Sequence, residues 1–212
     1  MIKDVLPQKA LNLIDKLAIQ PDTFYLAGGT ALALQLGHRV SEYLDFFTDR
    51  EFDAEALKNR ILPDKVSSIR PGTLRCVKEG VRLSFLLYDV PLCFPPRIWR
   101  DKKVAAWQDI VAEKVKAMSQ RGAKKDFYDI YALIMLKSDI KEVCELFLKR
   151  FGHADINLYH VLKSLVYFED AEGDPHPTLL KKGKEWAWDS VKLFFETHVK
   201  EFETVFINRS GN

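Results

Sequence analysis

The chain reads as an α+β protein, with a mixed α/β N-terminal half followed by a helical C-terminal half. Three observations support this. Short β-rich runs alternate with helical periodicity up to about residue 88. Pro91, Pro95 and Pro96 then punctuate the chain. Beyond about residue 100 the apolar residues recur at helical spacing. The reading is an α/β core over residues 1–98 and a helical domain over 99–212. At 212 residues the chain can bury a proper core, and it falls between one large domain and two small ones.

Residues 8–18 carry Ala10, Leu11, Ile14, Leu17 and Ala18 at helical spacing, and this helix stops before Pro21. A short apolar strand over 23–27 leads into Gly28-Gly29, which opens a helix over 30–36 closed by Gly37. Residues 42–48 alternate as a strand, and 53–60 read as a helix. Runs at 66–70, 73–78 and 81–88, separated by Pro71-Gly72 and Glu79-Gly80, read as an antiparallel meander. In the C-terminal half, Trp107, Val111, Val115 and Met118 mark one helix, and Phe127, Ile130, Tyr131 and Ile134 a second. Leu158, Val161, Leu162, Leu165 and Val166 mark a third, and Val191, Phe194, Phe195, Phe202 and Phe206 a fourth. Asp174-Pro-His-Pro177 breaks the last two apart.

Composition narrows the function classes. The chain is 47% apolar and 29% charged, as soluble globular proteins are, and its net charge of +2 leaves any electrostatic footprint local. No apolar run approaches the roughly 20 residues that span a bilayer. Met1-Ile-Lys-Asp4 lacks the build of a signal peptide. Cys76, Cys93 and Cys144 are odd in number and far apart, which suits packing thiols in a reducing, cytoplasmic setting. The five histidines form no close pair at ligand spacing, which argues against structural zinc.

The stretch from Phe24-Tyr-Leu-Ala-Gly-Gly-Thr30 through Leu44-Asp-Phe-Phe47 carries the first candidate site. Glycines before a helix let backbone N–H groups approach phosphate oxygens, with the helix dipole helping. Gly28 and Gly29 fit that cradle, with Thr30 as a hydroxyl donor. In the following strand Tyr43, Asp45 and Phe47 share one face, and Glu42, Leu44 and Phe46 the other. Asp45 is a metal-ligand candidate, while Glu42 faces the wrong way to assist it. A plainer reading has a tight turn and Asp45 paired with Arg39.

Ala27-Gly-Gly-Thr-Ala-Leu-Ala-Leu-Gln-Leu-Gly-His-Arg-Val-Ser41 followed by Leu44-Asp-Phe-Phe47 resembles the AbiEii-type nucleotidyltransferase toxin family, within the DNA polymerase β-like nucleotidyltransferase superfamily. Asp109 to Asp129 resembles the same family, as does Leu165-Val-Tyr-Phe-Glu-Asp-Ala-Glu172 with Asp174-Pro and Pro177. The resemblance covers roughly residues 24–180. It implies a polymerase β-like core, a nucleoside triphosphate lying between Gly28-Gly29 and Lys114, and Mg2+ or Mn2+ as cofactor. It also implies nucleotidyl transfer to a hydroxyl of RNA, such as tRNA, or of protein. The setting would be a toxin–antitoxin or phage-defence module, with the antitoxin a separate chain. The family pattern has Asp-x-Asp after the glycines. Asp45 matches the second position, Tyr43 stands at the first, and Ser84 is found where a later strand often supplies a third carboxylate. A tyrosine hydroxyl is neutral at pH 7 and a poor magnesium ligand, so the metal site is weakened or lost. The alternative is a degenerate member that binds nucleotide or a partner without chemistry.

By the same match the second active region comprises Lys114, Arg121, Lys125, Asp126 and Asp129. At about 100° per residue Lys114 lies near Trp107, Val111 and Met118, so it must reach a polar partner or snorkel to the stripe's edge. Asp126 and Asp129 share a helix flank one turn apart. One of them is a base for the acceptor hydroxyl or an anchor that orients Lys114; an intrahelical ion pair plus an acidic residue favoured by the helix dipole is the bland option. Arg121, Lys124 and Lys125 read as a local basic patch for phosphates. Trp186 and Trp188, beside Lys181, Lys182 and Lys184, read either as core or as a nucleic-acid surface.

Overall fold

The structure is a computed structural model that describes residues 1–19, 23–152, 154 and 156–210, with side chains up to residue 207. The chain divides into two compact units, Met1–Trp107 and Gln108–Asn212. The division falls beyond the proline cluster because residues just after it are strands and not the expected helix. Arg97–Trp99 (β6) and Lys102–Val104 (β7) pair with each other, and β7 runs parallel to Tyr25–Leu26 (β1). Three-residue strands are too short to display an alternation that sequence could reveal.

The remaining strands are Tyr43–Thr48 (β2), Lys65–Arg70 (β3), Thr73–Lys78 (β4) and Val81–Leu87 (β5). Among the described residues the strands form one seven-stranded sheet in the order β3-β4-β5-β2-β1-β7-β6. β2 and β5 are parallel, β1 and β2 antiparallel, and β3 to β5 form the expected antiparallel meander. One face of the sheet is core. Leu44, Phe46, Leu74, Cys76, Leu83 and Phe85 are all buried there. The Phe46 and Phe85 rings stack at 5.2 Å, and Phe24 meets Phe85 edge-on at 5.3 Å. Each such side chain contributes about 1.5–3 kcal/mol on burial. Burial pushes the Cys76 thiol up to about 11, against a smaller opposing pull from Lys78, which suits a packing residue.

Helix α1 (Gln8–Lys16) buries Ala10, Leu11, Leu13 and Ile14; Pro21, its expected stop, lies outside the described residues. Helix α2 (Gly28–Leu36) starts at the glycine pair itself and ends at Gly37. Helix α3 (Ala54–Ile61) is capped by Asp53, whose Oδ1 accepts from the N–H groups of Glu55 and Ala56 at 2.9 and 3.1 Å.

The second unit is helical: α4 (Trp107–Arg121, entering this unit at Gln108), α5 (Lys124–Leu136), α6 (Ile140–Phe151), α7 (Leu158–Ser164), α8 (Glu169–Glu172) and α9 (Trp188–Ser210). Its core centres on Phe127, whose ring lies 5.2, 5.8 and 5.4 Å from Phe168, Trp188 and Phe195. Trp186 and Trp188 are 7% and 8% exposed, so they are core and not a nucleic-acid surface. Helix α6 was not singled out from the sequence. Its signature is nonetheless present: Asp139 caps Glu142, and Ile140, Val143, Phe147 and Phe151 are buried.

Candidate functional site

In the N-terminal unit the site is built where β1 turns into α2. The Ala27 N–H donates to the Asp45 carbonyl at 2.8 Å, which fixes the turn against β2. Gly28 follows with φ +64, a conformation that costs an L side chain about 1–2 kcal/mol. A Cβ at Gly28 would lie 3.2 Å from Asp45 Oδ2, so the carboxylate is set directly against the glycine. The first N–H groups of a helix have no partner within it, and Ala27 offers no side-chain cap. The positive end of α2 therefore faces a half-buried carboxylate. Among the described residues Asp45 makes no ion pair, with Arg39 or any other side chain.

Thr30 differs from the expected phosphate donor. It is 1% exposed, its Oγ1 donates to the Tyr43 carbonyl, and Ser41 Oγ lies 2.6 Å away. Its single hydroxyl proton thus serves the link between α2 and β2. Of the expected cradle this leaves the backbone of Gly28 and Gly29.

The register of β2 on β5 defines the surroundings of Asp45. Asp45 pairs with Ser84 and Tyr43 with Arg82. Arg82 donates to the Tyr43 hydroxyl and its guanidinium lies 5.1 Å from the ring centroid. Tyr43 is thus engaged with a cation, where a metal-binding aspartate stands in the family pattern. Among the described residues no group of three or more acidic, His or Cys side chains could hold a metal. Magnesium in phosphate-handling sites is often held by one or two carboxylates together with substrate phosphates. Asp45 meets the lower bound of that donor set, so the residues fit a cation that arrives with a triphosphate.

In the helical unit, Lys114 on α4 meets two aspartates of α5. Its ammonium lies 2.7 Å from Asp126 Oδ1 and 2.6 Å from Asp129 Oδ2, with both carboxylates fully buried. Arg121 closes the group, its Nε and Nη2 donating to Asp126 Oδ2 and Oδ1 at 2.8 and 3.1 Å. Burial alone would raise the Asp126 carboxyl, but the Lys114 charge and the bonds and charge of Arg121 outweigh it and hold it below 3.8. Two cations and two anions leave the cluster neutral. Lys114 is buried rather than snorkelling, and the aspartates hold it in place.

The expected basic patch is different from its sequence reading. Lys125 is exposed in the first turn of α5, but Lys124 is only 2% exposed. The Lys124 ammonium donates to the carbonyls of Glu172 and Asp174 at 3.3 and 2.8 Å, and its own N–H donates to Asp174 Oδ2 at 3.0 Å. Asp174 therefore anchors the start of α5, which carries Asp126 and Asp129. Sequence reasoning also passed over Arg150 on α6. It donates to Asp109 and Glu113 of α4 at 2.6 and 2.7 Å, five residues and one residue before Lys114.

Comparison with known proteins identifies the family. An uncharacterized protein of Aquifex aeolicus is 38% identical over 205 residues, covering 92% of this chain and 95% of the relative. MenT4, a nucleotidyltransferase toxin of Mycobacterium tuberculosis, shares the fold at a TM-score of 0.59 and 20% identity, over 91% of this chain and 81% of its own. The Helicobacter pylori protein JHP933 matches at a TM-score of 0.50 and 15% identity, over 96% and 94% of the two chains. The family model for the nucleotidyl transferase AbiEii toxin, of type IV toxin–antitoxin systems, matches residues 13–79 and 95–208. With the glycine turn, Asp45 and the Lys114 cluster all inside those spans, the chain belongs to the AbiEii nucleotidyltransferase toxin family.

Proposed function

We propose that the protein binds a nucleoside triphosphate on the Gly28-Gly29 turn and transfers a nucleotidyl group to a hydroxyl of RNA, tRNA being the favoured class. The new bond joins the acceptor oxygen to the α-phosphorus, and pyrophosphate leaves. Such chemistry is mostly positioning and charge neutralisation. Gly28 and Gly29 offer backbone N–H groups to the phosphates. Asp45 is the residue that would hold Mg2+ or Mn2+, which neutralises phosphate charge when bound. Thr30 and Ser41 keep α2 and β2 in register. In the helical unit Asp126 and Asp129 hold Lys114, the residue that the family pattern assigns to phosphate. Arg121 closes that cluster on Asp126, and Lys125 is exposed in the first turn of α5. The family's toxin–antitoxin setting points to a separate antitoxin chain as a further partner.

The observation that carries this reading is the Asp45 carboxylate, unpaired among the described residues, set against Gly28 at an uncapped helix start. The test is incubation with labelled triphosphates, magnesium or manganese, and bulk RNA. Label should move to RNA with the wild-type chain and stay on nucleotide with Asp45→Asn. Activity that survives in that variant would refute the assignment. A second reading has its own support in the Tyr43–Arg82 contact, which replaces a metal carboxylate by a paired cation. It is a chain that binds triphosphate without turning it over. Calorimetry showing tight, metal-independent triphosphate binding with no transfer would favour it.

A further inference from the structure

The strands on the far side of β2 from the glycine turn carry a charge pattern that nucleotide binding leaves unused. β3, β4 and β5 hold Lys65, Arg70, Arg75, Lys78 and Arg82, and neither aspartate nor glutamate. Register sorts these by face. Asp45, Ser84, Arg75 and Ser68 form one row across four strands. Tyr43, Arg82, Val77 and Lys65 form the row on one side of it, and Phe47, Leu86, Thr73 and Arg70 the row on the other. Lys65, Arg70, Arg75 and Arg82 therefore rise from the face that bears Asp45, and all four are exposed. Lys78 is on the opposite face, donating to the Leu62 carbonyl at 3.0 Å. Among the described residues none of the four exposed cations is paired with an acid.

Like charges gathered on one face repel one another, and an approaching anion relieves that repulsion. Strands lie about 4.8 Å apart and same-face residues about 6.6 Å apart, so the cations form a ladder leading up to Asp45. Ser68, Ser84 and Thr73 interleave with them, and Arg, Lys, Ser and Thr are the side chains that contact nucleic-acid phosphates. Beside Asp45 the Tyr43 ring, 39% exposed, carries the Arg82 guanidinium over it. A stacked aromatic and guanidinium next to a phosphate ladder suits an unpaired base followed by its backbone. An acidic protein would meet the same charges but gain nothing from that stack.

We infer that this face docks single-stranded RNA, with the backbone on Arg75, Arg70 and Lys65 and the base nearest Asp45 on Tyr43 and Arg82. The inference rests on the reading above, since it assigns that reaction's acceptor to this side of β2. The test is fluorescence anisotropy of a labelled single-stranded RNA oligonucleotide on the full chain across a salt series, with triphosphate binding measured separately by calorimetry. The Arg70→Gln/Arg75→Gln variant changes only exposed side chains. It is expected to bind RNA at least tenfold more weakly at low salt. Its slope of log affinity against log salt should be shallower by about 1.4, or about 0.7 per lost phosphate contact. Triphosphate binding and melting temperature should stay at wild-type values. Unchanged RNA affinity and slope would overturn the inference, as would a wild-type chain that binds no RNA. Polyglutamate competing as well as unlabelled RNA would reassign the face to an acidic protein. Triphosphate binding lost in Gly28→Ala, with RNA binding kept, supports two separate subsites. A wild-type chain that binds no triphosphate, yet loses RNA in the arginine variant, defeats the nucleotide reading and leaves this one standing.

Discussion

The two units of this chain each hold a small set of charged groups, and the sets are handled in opposite ways. In the N-terminal unit Asp45 is half-buried, and neither it nor the exposed arginines of β4 and β5 is ion-paired among the described residues. In the helical unit Lys114, Asp126 and Asp129 are buried, and each is matched by an opposite charge. An unmatched charge near water is a place where a ligand can gain by arriving. A matched cluster in the interior gains little from a ligand, and breaking it leaves a charge without solvent. The contrast assigns separate duties. On the proposed function the sheet presents the groups that would contact the triphosphate and acceptor, and the helical cluster fixes where one lysine stands.

The largest expected effect comes from breaking the matched cluster. Asp126→Asn should destabilise the helical unit by about 3–5 kcal/mol, the usual cost of removing one member of a buried ion pair. Urea unfolding followed by circular dichroism measures it. The same carboxyl is held below the ordinary carboxylate range in the folded state, its burial being outweighed by the Lys114 and Arg121 cations. Its stabilising contribution is therefore complete above the unfolded value and fades as pH falls through the folded one. Wild-type stability should drop more steeply than that of Asp126→Asn below about pH 4. Equal pH profiles for the two would contradict the ion-pair assignment.

Asp45 should show the reverse pattern. Asp45→Asn is expected to change stability by no more than about 1 kcal/mol, the scale of one carboxylate at a helix N-terminus. It should lower transfer at least about 100-fold, since metal-assisted charge stabilisation is worth several kcal/mol and each 1.36 is tenfold. A variant that unfolds instead would place Asp45 in the structural class with Asp126, and the contrast between the units would fail.

How much of this was legible in the sequence depends on the range of the interaction. The α+β layout, the meander, the Gly37 helix end and the opposite faces of Tyr43 and Leu44 follow from local periodicity, and sequence reads local periodicity well. The short strand β7 follows from pairing with β1, a partner far away in the chain, and β6 from pairing with β7, so their residues alone carried no signal. Lys114 stood out because a lysine on an apolar stripe demands a partner, and its neighbours on α5 were already candidates. Arg150 lacked that kind of signal, since an arginine near the end of a helix is ordinary until Asp109 and Glu113 are found opposite it. Lys124 was misjudged for the same reason. Its partners are the carbonyls of Glu172 and Asp174, and backbone acceptors leave no trace in composition. The cationic ladder beside Asp45 needed the β-sheet register, because alternation within each strand gives faces but not which faces align.

A smaller effect should follow at Gly28. Gly28→Ala forces a side chain into φ +64 and towards Asp45 Oδ2, and should cost about 1–2 kcal/mol of stability. On the proposed function triphosphate binding should suffer more than stability, because the turn would receive the phosphates and the displaced carboxylate would hold their cation. Calorimetric titration alongside thermal unfolding separates the two losses.

The smallest effect, and the sharpest discrimination, lies at Tyr43. Its hydroxyl accepts from Arg82 at an exposed edge, so Tyr43→Phe should change stability by under about 0.5 kcal/mol and transfer by no more than about twofold. A tenfold loss of transfer would make the hydroxyl a ligand in the reacting site. Tyr43→Asp asks the opposite question. The new carboxylate would lie two residues from Asp45 on the same strand face, beside Arg82. If the chain is already competent with one carboxylate, the added acid mainly neutralises Arg82, and transfer to RNA should stay level or fall. If instead the tyrosine is what silenced the site, manganese binding should tighten and transfer should appear where the wild-type chain shows none.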